Sequence, residues 1–372
     1  MAVTTLPVSS SLLSVGDLTV RVTAPARLAE ALDRYLADFL PLGTSPVHGA
    51  VHLRIDTGTA EAAEGWHPAG DVEPVAGVRY RVYRGPDGER RFVLAADALE
   101  QRAPYTVTAA GSSVILRLPP EDEDDAPRLA LRILREVALR WHENAGGVLL
   151  HAAGVELGAG GVVLCGPAGS GKTTTMTALL HRPGARLLAG DRLVVTADGR
   201  FLGVPTPVAV AGGTVTAYPR IRPALEHARP LTAGLPCEFG TRAKAEVPPS
   251  PYAAAFGAAL GTAFPAKRSV IVLPRFTDSD QPARLRHLGS EAAADALTAN
   301  CFTPYDEFWR RPWVWPLTLP DTDLADHARR TCRALAESVP CLQLSYGIRS
   351  SAADLQHALD TLIPSGDRDA HC

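Results

Sequence analysis

Lysine is almost missing from this chain. Lys172, Lys244 and Lys267 are the only three, and arginine supplies the rest of the 37 basic residues. GC-rich coding accounts for such a bias. Each surviving lysine still marks a place where a compact ammonium differs from a guanidinium. Other absences narrow the field. No basic stretch opens the chain, which speaks against a secretory signal. The longest apolar stretch, YAAAFGAALGTAF, is too short and too rich in small residues to cross a bilayer. The six cysteines are scattered without a C-x-x-C pair, so a disulfide framework and a zinc site both lack ligand spacing. A reducing, cytoplasmic compartment is the expectation. A net charge of -3 gives no electrostatic basis for binding nucleic acid or an anionic membrane. No N-K-x-D segment occurs, which disfavours a Ras-like guanine switch.

What is present fits two domains, since 372 residues can bury a large core. Residues 1–120 read as an α+β unit. DLTVRVTAP alternates like a strand, and ARLAEALDRYLADFL places Leu28, Leu32, Tyr35, Leu36 and Phe39 on one helical face. VRYRVYRGPDGERRFVLA reads as a hairpin around Pro86-Asp87-Gly88. The acidic run EDEDD feeds a helix, APRLALRILREVALRWHE, expected to connect the domains over 121–145. A second domain is expected over 146–364, followed by a disordered tail over 365–372. No internal repeat is visible.

The sharpest signal is GPAGSGKT, residues 166–173, which fits the phosphate-binding pattern G-x-x-x-x-G-K-[ST]. The apolar run GGVVLCG precedes it and a short helix is expected from about Lys172. Gly166, Gly169 and Gly171 let backbone N–H groups come close to phosphate oxygens, and the helix N-terminus adds partial positive charge. The predicted nucleotide-binding set is Gly166, Ala168, Gly169, Ser170, Gly171, Lys172, Thr173 and Thr174. Lys172 can reach the β- and γ-phosphates, and the Thr173 hydroxyl can coordinate Mg²⁺.

Two further residues carry candidate chemistry. Asp191 ends RLLAG, about one strand beyond the loop's helix, where a carboxylate can orient Mg²⁺ or accept a proton; the plain alternative is a turn residue. His151 follows the apolar GVLL and precedes the loop by one hairpin, which brings it near the phosphate site if the two strands pair. Otherwise it is a satisfied core histidine. Arg242 and Lys244 in GTRAKAEVPP are weaker candidates for neutralising charge, against a solvated loop. NCFTPYDEFWRRPWVWP gathers Trp309, Trp313 and Trp315, either as a peptide-docking surface or as packing between domains.

Taken together, LLHAAGVEL, GPAGSGKTT and RLLAGDRLVV resemble the core of the HPr kinase/phosphorylase family. They resemble more closely its relatives in bacterial peptide natural-product clusters, lasso-peptide kinases included. The superfamily resembles PEP carboxykinase. The resemblance is carried by about residues 146–207 and continues loosely through RSVIVLPRF to VPCLQLSYGI. It implies an α/β fold with a P-loop core of the HPr kinase/PEP carboxykinase type and a smaller N-terminal α+β domain. It also implies a phosphotransferase using Mg²⁺ and a nucleoside triphosphate, with His151, Lys172 and Asp191 catalytic and Thr173 and Asp191 on the metal. The family's acidic pair falls on Gly190-Asp191, so its first acid is a glycine here. The later Gly-rich signature of HPr kinase is not evident, which makes HPr itself a poor acceptor.

The expected function is transfer of the γ-phosphoryl group, from ATP or another NTP, to a Ser or Thr hydroxyl of a peptide or protein. A natural-product precursor is one candidate acceptor. The alternatives are a nucleotide hydrolase or a non-catalytic nucleotide-binding module acting with a partner protein. No nucleic-acid or membrane partner is expected, and a homo-oligomer is left open.

Overall fold

Strand alternation in the first third and apolar runs in the remainder build two different sheets. The computed structural model describes residues 8–40, 50–58, 65–98, 104–228, 235–241, 243–306 and 311–362. The chain divides into one unit of Met1–Asn144 with Tyr305–Pro320, and a second of Ala145–Pro304 with Asp321–Cys372. Both are mixed α/β, with large sheets and helices.

In the first unit the strands are β1 (Val8–Val15), β2 (Leu18–Pro25), β3 (Ala50–Thr57), β4 (His67–Val75), β5 (Val78–Arg84), β6 (Arg90–Asp97), β7 (Thr106–Ala110) and β8 (Ser113–Leu118). They form one sheet in the order β1-β2-β3-β8-β7-β6-β5-β4. The β2/β3 and β3/β8 pairs are parallel and the rest antiparallel. A parallel neighbour needs a crossover, and helix α1 (Ala26–Ala37) lies in the one between β2 and β3. Leu28, Leu32 and Leu36 are its buried stripe. Helix α2 (Ala126–Asn144) packs on the same face, against β2, β3 and β8. Of the segment 121–145, expected to connect the domains, residues 121–144 belong to the first unit.

The Trp-rich stretch also belongs there. Trp313 is fully buried, stacked on Tyr80 at 4.5 Å and edge-on to Phe92 at 5.5 Å. Its backbone N–H donates to Glu136 at 2.9 Å. Trp315 leans on Trp141, and Trp309 lies outside the described residues. Trp313 is therefore core of the first unit and not a docking surface.

The second unit contains β9 (Val148–Leu157), β10 (Gly160–Cys165), α3 (Lys172–Leu180), β11 (Arg186–Ala189), β12 (Arg192–Val195), β13 (Arg200–Gly203), β14 (Val208–Val210), α4 (Gly212–Ala217), β15 (Ala245–Val247), α5 (Pro249–Ala254), β16 (Ala259–Leu260), β17 (Ala263–Pro265), β18 (Ser269–Thr277), β19 (Arg284–His287), α6 (Ser290–Ala299), α7 (Asp321–Ser338), β20 (Cys341–Gly347) and α8 (Ala352–Asp360). The main sheet runs β17-β13-β12-β9-β10-β18-β20-β19, with β11 also on β9 and β16 on β11. β10, β18 and β20 are parallel, and the strands around β9 are antiparallel. These strands are apolar on both sides because both sides are covered. One face packs Met176, Leu179, Tyr252, Leu355 and Leu359; the other packs Leu193, Phe201, Phe264, Leu297 and Cys332. Among the described residues no helix is long and apolar enough to cross a membrane.

Candidate functional site

The 166–173 loop leaves the end of β10, next to its parallel neighbour β18, and enters α3. Gly169 and Gly171 have φ of 80° and 106°, a region that side chains disfavour. Gly171 is excluded from substitution twice over. A Cβ there would sit 2.4 Å from the Phe276 ring, which belongs to β18. Gly171 is also the N-cap of α3, and no side chain caps that helix. The first N–H groups of α3 thus lack a side-chain acceptor. Pro167, Ala168 and Gly169 form the exposed tip, while the Ser170 hydroxyl is buried without a hydrogen-bond partner.

Lys172 folds back under the loop. Its Nζ donates to Gly166 O at 2.6 Å and Pro167 O at 3.1 Å, and lies 3.9 Å from Asp191 Oδ1. Thr173 Oγ1 donates to Ala209 O at 3.1 Å, and Thr174 Oγ1 shares a hydrogen bond with Thr214 at 2.9 Å. Cys165, the last residue before the loop, is fully buried, and burial pushes its thiol up to about 12. It stays a packed thiol, with none of the exposed thiolate character a nucleophile needs.

β9 places His151 between the two halves of the site. On one side it adjoins Gly166, whose N–H donates to His151 O at 3.3 Å. On the other it pairs in register with Arg192. The two strands do pair, the condition under which the sequence brings His151 to the loop. His151 Nε2 and Asp191 Oδ1 are 3.0 Å apart. Asp191 sits where the backbone passes from β11 to β12, held by Ala152 N–H donating to Asp191 O at 3.1 Å. Its second carboxylate oxygen accepts from Arg192. The Asp191 side chain keeps 28% exposure, against 6% for Lys172.

Two partners were not evident in the sequence. Arg192 directly follows Asp191, so its position was readable but not its role. Phe302 stacks on the His151 ring at 4.8 Å and lies under the Arg192 guanidinium at 4.6 Å. One aromatic ring therefore fixes both the imidazole and the guanidinium that flank Asp191. Phe302 is held in turn by its N–H to Leu149 O at 2.7 Å.

Gly190 has a steric reason. A Cβ there would lie 3.1 Å from Val208 Cγ2 and 3.3 Å from Val208 Cα. The segment leading into β14 occupies the room a side chain would take. Lys244 is half-buried just before β15, and Arg242 lies outside the described residues. Among the described residues no three His, Cys, Asp or Glu side chains gather as a metal cluster. No protein-family model matches the chain, and no curated protein matches it in sequence.

Proposed function

We propose that the second unit is a Mg²⁺-dependent phosphotransferase of the HPr kinase/PEP carboxykinase type, with a P-loop at 166–173. It would move the γ-phosphoryl group of ATP or a similar triphosphate to a Ser or Thr hydroxyl of a peptide or protein. The carrying observation is convergence. Lys172, on the loop, and His151, on β9, meet at the same Asp191 oxygen, 3.9 and 3.0 Å away.

The loop fits a polyphosphate. Its helix N-terminus has no side-chain cap, and Ser170 Oγ is a buried donor without a partner. Lys172 rests on two backbone carbonyls, acceptors that phosphate oxygens can replace. Thr173 and Asp191 would hold the metal, which supplies charge neutralisation at the phosphate oxygens. A Mg²⁺ site shared with substrate oxygens and water needs only one or two protein ligands, so the lack of a three-residue cluster is compatible with it.

In the transfer, the bond between the γ-phosphorus and its bridging oxygen breaks, and a new one forms to the acceptor hydroxyl oxygen. The nucleoside diphosphate leaves. The hydroxyl proton passes to the His151–Asp191 pair, since Gly190 offers no second acid. Arg192 and Phe302 keep that pair aligned.

The test is incubation of the full chain with γ-labelled ATP, Mg²⁺ and a panel of Ser- and Thr-containing peptides, beside Lys172→Ala and Asp191→Asn. Label on a hydroxyl, lost in both variants, supports the proposal. Free phosphate without labelled acceptor replaces it with a hydrolase. Nucleotide binding with neither product replaces it with a binding module.

A further inference from the structure

The sheet of the first unit carries α1 and α2 on one face, while the other is mostly exposed among the described residues, with Thr19 and Thr106 as buried exceptions. Val20, Val22, Leu53, Ile55 and Leu116 point inward and are buried under α1 and α2, and Phe92 is buried on the same side against Trp313. No described helix packs on the other face. An antiparallel sheet commonly leaves one face to solvent, and such a face usually mixes charges of both signs. This one does not. Arg21, Arg54, Arg79, Arg81, Arg91 and Arg117 occupy its outward positions. The carboxylates among the described outward positions are Asp56, Asp71 and Glu73, and Glu89 lies beside Arg91, so arginines still outnumber them. This excess sits in a chain whose net charge is -3.

The arginines are ordered. In one cross-strand row Arg54 faces Ile115, then Thr108, then Arg91. In the next row Arg117 faces Thr106, then Val93, then Arg81. Each row therefore holds two guanidiniums three strands apart, or about 14 Å at the usual inter-strand spacing. Side chains at either end are already positioned. Arg91 stacks over the Trp66 ring at 4.1 Å. Burial and then the nearby Arg117 lower the Arg91 guanidinium from its ordinary value, against a smaller opposite pull from Glu89, so the two cations feel each other across the rows. Asp56 lies 2.9 Å from Arg54 and 3.4 Å from Arg117, and Asp71 lies 3.9 Å from Arg79.

We propose that this face docks an extended acidic segment of a peptide or protein, laid across the strands so that its carboxylates meet the paired arginines. A span of about 14 Å matches four residues of extended chain, so acids at every fourth position fit each row. Guanidinium forks suit carboxylates, which they can bind with two parallel hydrogen bonds. A polynucleotide fits less well, because Asp56 and Asp71 stand along the track and would repel an unbroken line of phosphates. Separate carboxylates can pass between them. Docking does not depend on the transferase reading; only the statement that the docked segment belongs to the phosphoryl acceptor rests on it.

The experiment uses the full chain without nucleotide and follows fluorescence anisotropy. The probes are a labelled Ser/Thr/Gly peptide with Glu at every fourth position, the same peptide with Gln for Glu, one with its glutamates adjacent, and an oligo-dT of equal charge. The spaced acidic peptide is expected to bind at least about tenfold tighter than the neutral one, and more weakly as salt rises. It should bind tighter than the peptide with adjacent glutamates. The fourfold variant Arg54→Gln, Arg81→Gln, Arg91→Gln, Arg117→Gln should lose that advantage while keeping the wild-type circular dichroism. The pair Asp56→Asn, Asp71→Asn should gain affinity a few-fold, a change that misfolding would not produce. Equal binding of acidic and neutral peptides, equal binding of the spaced and adjacent acids, tighter binding of oligo-dT, or no gain in the Asp pair would each overturn the proposal. Peptide binding without phosphoryl transfer under any condition would overturn the transferase reading and leave this one standing. Transfer with the same KM for acidic and neutral acceptors would overturn the statement that the docked segment belongs to the acceptor, while the nucleotide-free binding decides the docking itself.

Discussion

Both units bury charged side chains, but they do so in opposite ways. In the first, Glu136, Arg140 and Glu143 lie one turn apart on α2 and are all but inaccessible, with side-chain exposures of 0%, 1% and 2%. Arg140 Nη1 reaches Glu143 at 2.5 Å and its Nε lies 3.5 Å from Glu136, which also accepts the Trp313 N–H. Burial alone would lower the Arg140 guanidinium, but Glu136 and Glu143 raise it; burial raises Glu136 against the pull of Arg140. In the second unit Lys172 is just as enclosed, yet it leans on loop carbonyls and on an Asp191 that keeps 28% exposure. In the first cluster the charges answer one another along a single helix, and none of the three reaches solvent. The second is held by contacts that a phosphate could replace. Burial of charge marks a functional site only when the partners are exchangeable.

The contrast breaks most sharply at Arg140. Arg140→Met leaves two carboxylates buried without their cation and should cost about 3–5 kcal/mol. Thermal unfolding should move down by about 10 °C. The triple change Glu136→Leu, Arg140→Met, Glu143→Leu should lose less, because both carboxylates leave with the cation and only the buried Asp306 and the Trp313 N–H lose a partner.

Lys172→Ala reverses the pattern. The melting temperature should fall much less than in Arg140→Met, while γ-phosphoryl transfer drops about 10²–10³-fold in a labelled-ATP assay. A melting temperature as low as that of Arg140→Met would show that the second cluster is structural as well.

His151→Gln comes next. Transfer should fall about 10²-fold, with nucleotide affinity, measured by calorimetry, nearly unchanged. The loss reflects proton handling rather than phosphate binding.

The smallest effect tests Gly190. Gly190→Asp restores a second acid but presses on Val208, and the strain should cost about 1 kcal/mol in a melt. Activity should not rise. The double variant with Val208→Ala should not recover the lost stability, because Val208 is fully buried and its Cα and the Pro207 carbonyl still crowd the site.

Much of this was legible because the residue types left few choices. Gly171 has a left-handed backbone with a phenyl ring against its Cα, so glycine there reports the loop directly. The hairpin through β9 and β10 followed from two apolar runs with a Gly turn, and it brought His151 to the loop. What stayed hidden depended on tertiary company. β4 contains Pro68, Gly70 and Pro74, which suppress any strand reading; it is tolerated as a bulged edge strand. Ser-rich β1 is the opposite edge, and its alternation is weak. Phe302 sits in a stretch dominated by tryptophans, and nothing local tells that its ring serves His151 while Trp313 serves the other unit.

Strand β9 gives the candidate site a clock. The amide of His151 is tied to Asn300 O at 2.8 Å, that of Ala152 to Asp191 O at 3.1 Å, and that of Gly166 to His151 O at 3.3 Å. Each proton is locked between β9 and a different neighbouring segment. In deuterated water these three amides should exchange slowly and together, at the rate at which the second unit opens as a whole. Amides at the exposed tip, Ala168 and Gly169, should exchange far sooner. Lysine, imidazole and carboxylate would then keep their mutual positions for as long as the sheet itself lasts, and only the exposed loop tip would be free to move.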